Sequence, residues 1–139
     1  MREIKFRGKS KLSNNWFYGY LVNIKEPQIT YYDDLQKQQI MEPVFPESVG
    51  QYTGMKDKNG KEIYDGDIVK NISEEGYPIR GLVFYDDGSF KVTSSHADIT
   101  EKNVYDILDK KLIEDNNMEK IGNKYENSEL LEGDEDETT

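Results

Sequence analysis

A few side chains in this sequence are of types that could do chemistry, and each has a plainer reading beside it. His96 is the only histidine, and an imidazole can act as a general base or a pH switch. It stands in the polar run Ser94-Ser95-His96 with no serine or cysteine nucleophile motif nearby, so it reads as an exposed loop residue. Asp65-Gly66-Asp67 offers two carboxylates to a divalent cation. Asp57-Lys58-Asn59-Gly60 has the look of a calcium loop, but Lys58 interrupts it and the distal bidentate glutamate is missing. Both stretches read more simply as turns, and no metal is expected. The glycines do not form a phosphate-binding loop: neither G-x-x-x-x-G-K-S/T nor G-x-G-x-x-G between a strand and a helix occurs. No cofactor and no catalytic residue is expected, and the chain reads as a non-enzyme.

What remains is a surface. Arg2, Lys5 and Arg7 lie in a basic opening segment, and Trp16, Tyr18 and Tyr20 recur at alternate positions soon after. Cations contact phosphates and aromatic rings stack on bases, so these six residues form the candidate contact surface. The same set could pair with acids of a second copy of the chain, which makes homo-oligomerisation a second expectation.

Charge favours proteins over nucleic acid as partners. The net charge is -10, and Glu126 to Thr139 contains seven acids and no base. Residues 1–125 carry 21 acids against 18 bases, too near neutral for a large phosphate footprint. The acidic end reads as a disordered tail over 133–139; mimicry of phosphates, or docking on a basic protein, is its sharper reading. With 0 cysteines there is no disulfide or thiolate site. No leader-like start and no run near the ~18 apolar residues of a membrane span occurs, so a cytoplasmic protein without membrane contact is expected.

The elements that must position these residues are mainly strands. Residues 2–8 alternate, with Ile4 and Phe6 on one side and Lys5 and Arg7 on the other. Trp16 to Val22 is dense in aromatic and β-branched residues, as strands prefer. It is apolar on both faces, which predicts a central or interface strand. Residues 28–32 could form a strand, and 33–49 reads as a long loop with at most a short strand near Val44-Phe45, since Pro27, Pro43 and Pro46 break any long element. Asn59-Gly60 predicts a two-residue hairpin turn. Asp65-Gly66 and Asp86-Asp87-Gly88 predict further turns between strands over 61–64, 67–72, 79–85 and 89–93. Asp98 and Glu101 resemble a capping box. With Val104, Ile107, Leu108 and Leu112 at helical spacing they predict one short helix near 98–115, ended by Asn116-Asn117. Met118 to Tyr125 could be a last strand with a bulge at Gly122-Asn123, anchored by Leu130 and Leu131. The expected fold is mainly β, a small barrel or sandwich-like arrangement of antiparallel strands with that one helix.

Three stretches carry a resemblance. They are Met1 to Lys9 (MREIKFRGK) with Trp16-Phe17-Tyr18-Gly19-Tyr20-Leu21 following, Val49 to Lys70 (VGQYTGMKDKNGKEIYDGDIVK), and Ile121 to Asn127 with Ser128-Glu129-Leu130-Leu131. Together they resemble the YopX family, small proteins of phages and prophages of mostly Gram-positive bacteria. Members often have proline where Ser128 stands. The resemblance implies a single domain over 1–132, with an N-terminal β region over 1–48 and a barrel-like region over 49–132. It implies a phage or prophage accessory protein in the cytoplasm of a bacterial host, and it brings no activity and no catalytic residue. The leading expectation is a binding module acting on a host or phage macromolecule. The alternatives are a nucleic-acid-associated protein, an acidic mimic or inhibitor, and an enzyme in which Asp65, Asp67 and Asp86 converge.

Overall fold

A computed structural model describes residues 3–72, 75–94 and 98–132. The chain divides into two compact units, Met1–Gly54 and Met55–Thr139. Both are antiparallel sheets, so the fold is mainly β with one short helix.

The first unit contains β1 (Phe6–Lys9), β2 (Trp16–Val22), β3 (Gln28–Asp33), β4 (Gln38–Pro43) and the start of β5 (Gly50–Lys56), in the spatial order β4-β3-β2-β1-β5. The aromatic-rich strand β2 is therefore central in the sheet. Residues 33–49 are not a long loop. Asp33 Oδ1 accepts from the backbone N–H of Leu35 and Gln36, Lys37 adopts φ 55°, and β4 returns along β3. The expectation failed because Ile40 is the one strong strand former in Gln38-Gln39-Ile40-Met41, and β3 supplies the pairing that these residues do not signal by themselves. The end of β4 also meets the end of β1: Lys11 N donates to the Pro43 carbonyl, Phe45 N donates to that of Lys9, and Val44 bridges Ser10. Gly8 permits this approach, since a Cβ there would lie 2.8 Å from Val44 side-chain atoms. Ser10 and Ser48 are buried and hydrogen-bonded, Ser10 Oγ donating to Glu42 and Ser48 Oγ accepting from Lys9 N.

The second unit holds β6 (Glu62–Tyr64), β7 (Asp67–Ile72), β8 (Pro78–Asp86), β9 (Ser89–Thr93), β10 (Tyr105–Ile107), α1 (Lys110–Asp115) and β11 (Glu119–Asn123). Five of its strands form a sheet in the order β10-β9-β8-β7-β11. Its core is Ile63, Val69, Val83, Phe90, Val92, Leu108, Ile113 and Met118. A smaller cluster of Ile68, Leu82 and Ile99 is covered by Ile121, Leu130 and Leu131. The anticipated anchoring by the two leucines is present, as is the irregularity in β11, between Lys120 and Gly122.

Two local readings change. The Asn59-Gly60 turn is not the two-residue type, because only Gly60 has positive φ (81°) and Gly60 N donates to the Asp57 carbonyl. The two-residue form with both central residues at positive φ occurs instead at Asp87-Gly88, joining Asp86 to Ser89. The helix occupies only the end of its expected window. Asp98 closes a turn on Thr100, residues 105–107 form an edge strand, and Asp109 caps α1 by accepting from Leu112 N at 2.8 Å. Val104 and Ile107 mimic helical spacing because an edge strand also places apolar residues without strict alternation.

Candidate interaction surface

Cross-strand register assembles the surface. Lys9 faces Trp16 and Arg7 faces Tyr18 between β1 and β2. Tyr20 faces Thr30 between β2 and β3, while Thr30 faces Met41 and Tyr32 faces Gln39 between β3 and β4. Opposed residues share a sheet face, so Tyr18, Tyr20, Tyr32 and Met41 lie on one face of the first sheet. They are 46%, 64%, 55% and 55% exposed. No acidic residue occupies a ladder position on this face of β1 to β4; Glu42 alternates to the opposite face, where it accepts from Ser10 Oγ.

Two cations of that face pack against rings. Arg7 is 4% exposed, and its guanidinium lies 5.0 Å from the centroid of the half-buried Trp16 ring. Lys5 Nζ sits 5.1 Å from the Tyr52 ring and 3.7 Å from Glu3. Cation–ring packing of this kind stabilises the sheet, and it leaves the charges poorly placed to meet phosphates. Arg2 lies outside the described residues. Of the six sequence candidates, Trp16, Tyr18, Tyr20, Lys5 and Arg7 come together, with the two exposed tyrosines as the accessible members. Tyr32 and Met41 were missed. Tyr32 follows from extending the alternation of β3, whereas Met41 had no signal in a segment read as loop. What the face can do is stack, bury apolar area and donate phenolic hydrogen bonds.

The other candidates are structural in their surroundings. Asp57 is buried and its carboxylate is occupied: Oδ1 accepts from the N–H of Asn59 and Lys61, and Oδ2 accepts from Lys120 N at 2.9 Å. Burial pushes this carboxyl up, but the three backbone donors outweigh it and hold its pKa below the ordinary value. Asp67 is fully buried; its Oδ2 accepts from Tyr64 N at 2.7 Å and lies 3.2 Å from Lys120 Nζ. Asp86 pairs with Lys91 at 3.5 Å. Among the described residues no group of three or more His, Cys, Asp or Glu is placed to hold a metal ion. His96 and the tail 133–139 lie outside the described residues. An open cleft of about 450 Å³ in the second unit is lined by Lys56, Asp57, Lys58, Lys110, Ile113, Glu114 and Asn117. Asp57 is committed there as above, and Lys58 lies 3.8 Å from Glu119. Among the described residues no helix is long and apolar enough to cross a membrane.

Comparison with known proteins adds three findings. A family model described as YopX protein matches residues 5–132. The crystal structure of protein EF1440 from Enterococcus faecalis superposes with a TM-score of 0.55 at 21% identity, covering 95% of this chain and 100% of that one. At that identity the likeness concerns the fold alone. No curated protein matches the chain.

Proposed function

We propose that this chain, which belongs to the YopX family, is a non-enzymatic accessory binding module that docks on a protein through the tyrosine-rich face of its first sheet. The supporting observation is the exposure of Tyr18, Tyr20, Tyr32 and Met41 together on one face that has no acid at a ladder position of β1 to β4. Tyrosine and methionine are enriched where proteins meet, and tyrosine buries much area at small entropic cost. Phage or prophage origin and the cytoplasm of a bacterial host complete the reading, by the resemblance set out above.

Nucleic acid is the weaker partner because Arg7 and Lys5 are engaged with Trp16 and Tyr52 rather than held out to solvent. The test compares the wild-type chain with Tyr18→Thr/Tyr20→Thr as baits in host lysate, alongside a fluorescent oligothymidine titration. Partners held by the wild type and lost by the variant support the proposal. An identical partner set for both overturns it. Oligothymidine binding that weakens steeply with salt would move the function to nucleic acid.

A further inference from the structure

The first sheet ends in β4, whose first four residues carry none of the usual protections of an edge. β4 pairs with β3 over Gln38–Pro43, and beyond that its end is covered by Ser10 and Lys11. Val44 N donates to the Pro27 carbonyl at 3.1 Å, which sets the phase of the β3–β4 ladder. Gln38, Ile40 and Glu42 then turn their backbone groups toward β3, and Gln39 and Met41 turn theirs outward. The outward stretch Gln38-Gln39-Ile40-Met41 has no charge, no proline and an unbroken register. The two edges of the second sheet differ. β10 has Asp106 at its centre, and β11 carries Glu119, Lys120 and a bulge. Charges and bulges are what keep sheet edges from pairing with one another.

We propose that β4 pairs antiparallel with β4 of a second copy of this chain, about a twofold axis at Ile40. Gln39 of each copy then opposes Met41 of the other, and these are the residues whose N–H and C=O point outward. Each such pair exchanges reciprocal backbone hydrogen bonds, one pair on either side of the axis. Ile40 opposes its own symmetry mate in a close, non-hydrogen-bonded pair on the other face. Gln38 opposes Glu42, so no like charges meet, and Glu42 is drawn back by Ser10 Oγ at 2.6 Å. The register is selective. Centring on Met41 would oppose Gln39 with Pro43, which lacks an N–H and whose carbonyl already accepts from Lys11. Centring on Gln39 would require Lys37, at φ 55° in the turn, to continue the ladder. The pairing makes the tyrosine faces of two copies continuous.

The absence of native cysteine permits a direct test on the full chain. Ile40→Cys places one thiol from each copy across the axis, where opposed Cβ atoms are about 4.5–5.5 Å apart. Gln39→Cys, opposed by Met41, serves as the control. Wild-type chain in light scattering should have twice the monomer mass. Ile40→Cys should form a covalent dimer under mild oxidation faster than Gln39→Cys. Met41→Pro, which deletes an outward N–H where an edge strand tolerates proline, should be monomeric with unchanged circular dichroism. If that variant does not fold, Met41→Lys gives the same reading by charging the edge. Monomeric wild type at high micromolar concentration, or equal cross-linking of the two cysteine variants, overturns the pairing. Tyr18→Thr/Tyr20→Thr should stay dimeric, so failure of this proposal and of the docking face are separable.

Discussion

The two units of this chain differ in how much apolar side chain they bury. Among the described residues the second buries thirteen large apolar side chains, from Ile63 to Met118, whereas the first buries Ile29, Val44 and Tyr52. The first unit instead depends on polar pins such as Ser10 and Ser48 and on close backbone approaches at Gly8 and Gly19. Its spare aromatic area faces water, on Tyr18, Tyr20 and Tyr32. Charge divides likewise: seven bases and six acids in residues 1–54, eleven bases and twenty-two acids in 55–139. Exposed tyrosines occur in both units, Tyr77, Tyr85 and Tyr105 in the second, but a unit that gathers its own on one sheet face over a thin core is arranged for contact. One that buries its valines and isoleucines under an acidic surface is arranged for stability and solubility.

The contrast breaks most readily in the second core. Met118→Ala should empty a fully buried site and lower stability by about 2–5 kcal/mol, measured by urea unfolding. Next in size is Gly19→Ala, because an added Cβ would overlap the Thr30 carbonyl oxygen, a backbone atom with little room to yield. A loss of about 1–3 kcal/mol is expected, with hydrogen exchange rising in residues 16–33. Tolerance of alanine there would mean that β2 and β3 are looser than their register implies.

Asp57→Asn removes acceptors for backbone N–H groups and should lower stability of the second unit by about 1–3 kcal/mol at pH 7. The pH dependence has a definite sign. The folded-state pKa lies below the ordinary 3.8, so the wild-type carboxylate contributes its stability above that value and loses it as pH falls through the folded pKa. The wild type and Asp57→Asn should therefore converge in acid unfolding below about pH 4, and a constant gap down to strong acid would count against this role. The smallest stability effect belongs to the exposed face. Tyr18→Thr and Tyr20→Thr should each change unfolding free energy by less than about 1 kcal/mol, while partner capture is lost. A large stability loss there would show the tyrosines to be packing residues and would erase the contrast.

Much of this organisation is local and can be read from order along the chain. The aromatic alternation from Trp16 to Val22, the glycine turns at 66 and 88, and the hydrophobic strands from Ile63 to Val92 follow from short-range rules of side-chain period and positive φ. The likeness to the YopX family rests in part on the same segments, Trp16 to Leu21 and Val49 to Lys70. Strand β4 did not follow, since Gln38 to Met41 becomes extended only by pairing with β3. Nor did the start of the helix, since Asp98 and Asp109 are equally good caps and only packing of Leu108 and Ile113 into the core selects the second.

The sequence by itself determined that the chain is mainly β, that it carries an aromatic and a basic segment near its start, and that its charge is concentrated toward its end. Those are properties of single residues and their near neighbours. Only the tertiary structure decided which rings share a face, that Arg7 is spent on Trp16, that Asp57 braces three backbone amides, and that the uncharged stretch Gln38 to Met41 lies on a sheet edge. Each of these depends on a register between distant strands, where a slip of one residue moves every side chain to the opposite face.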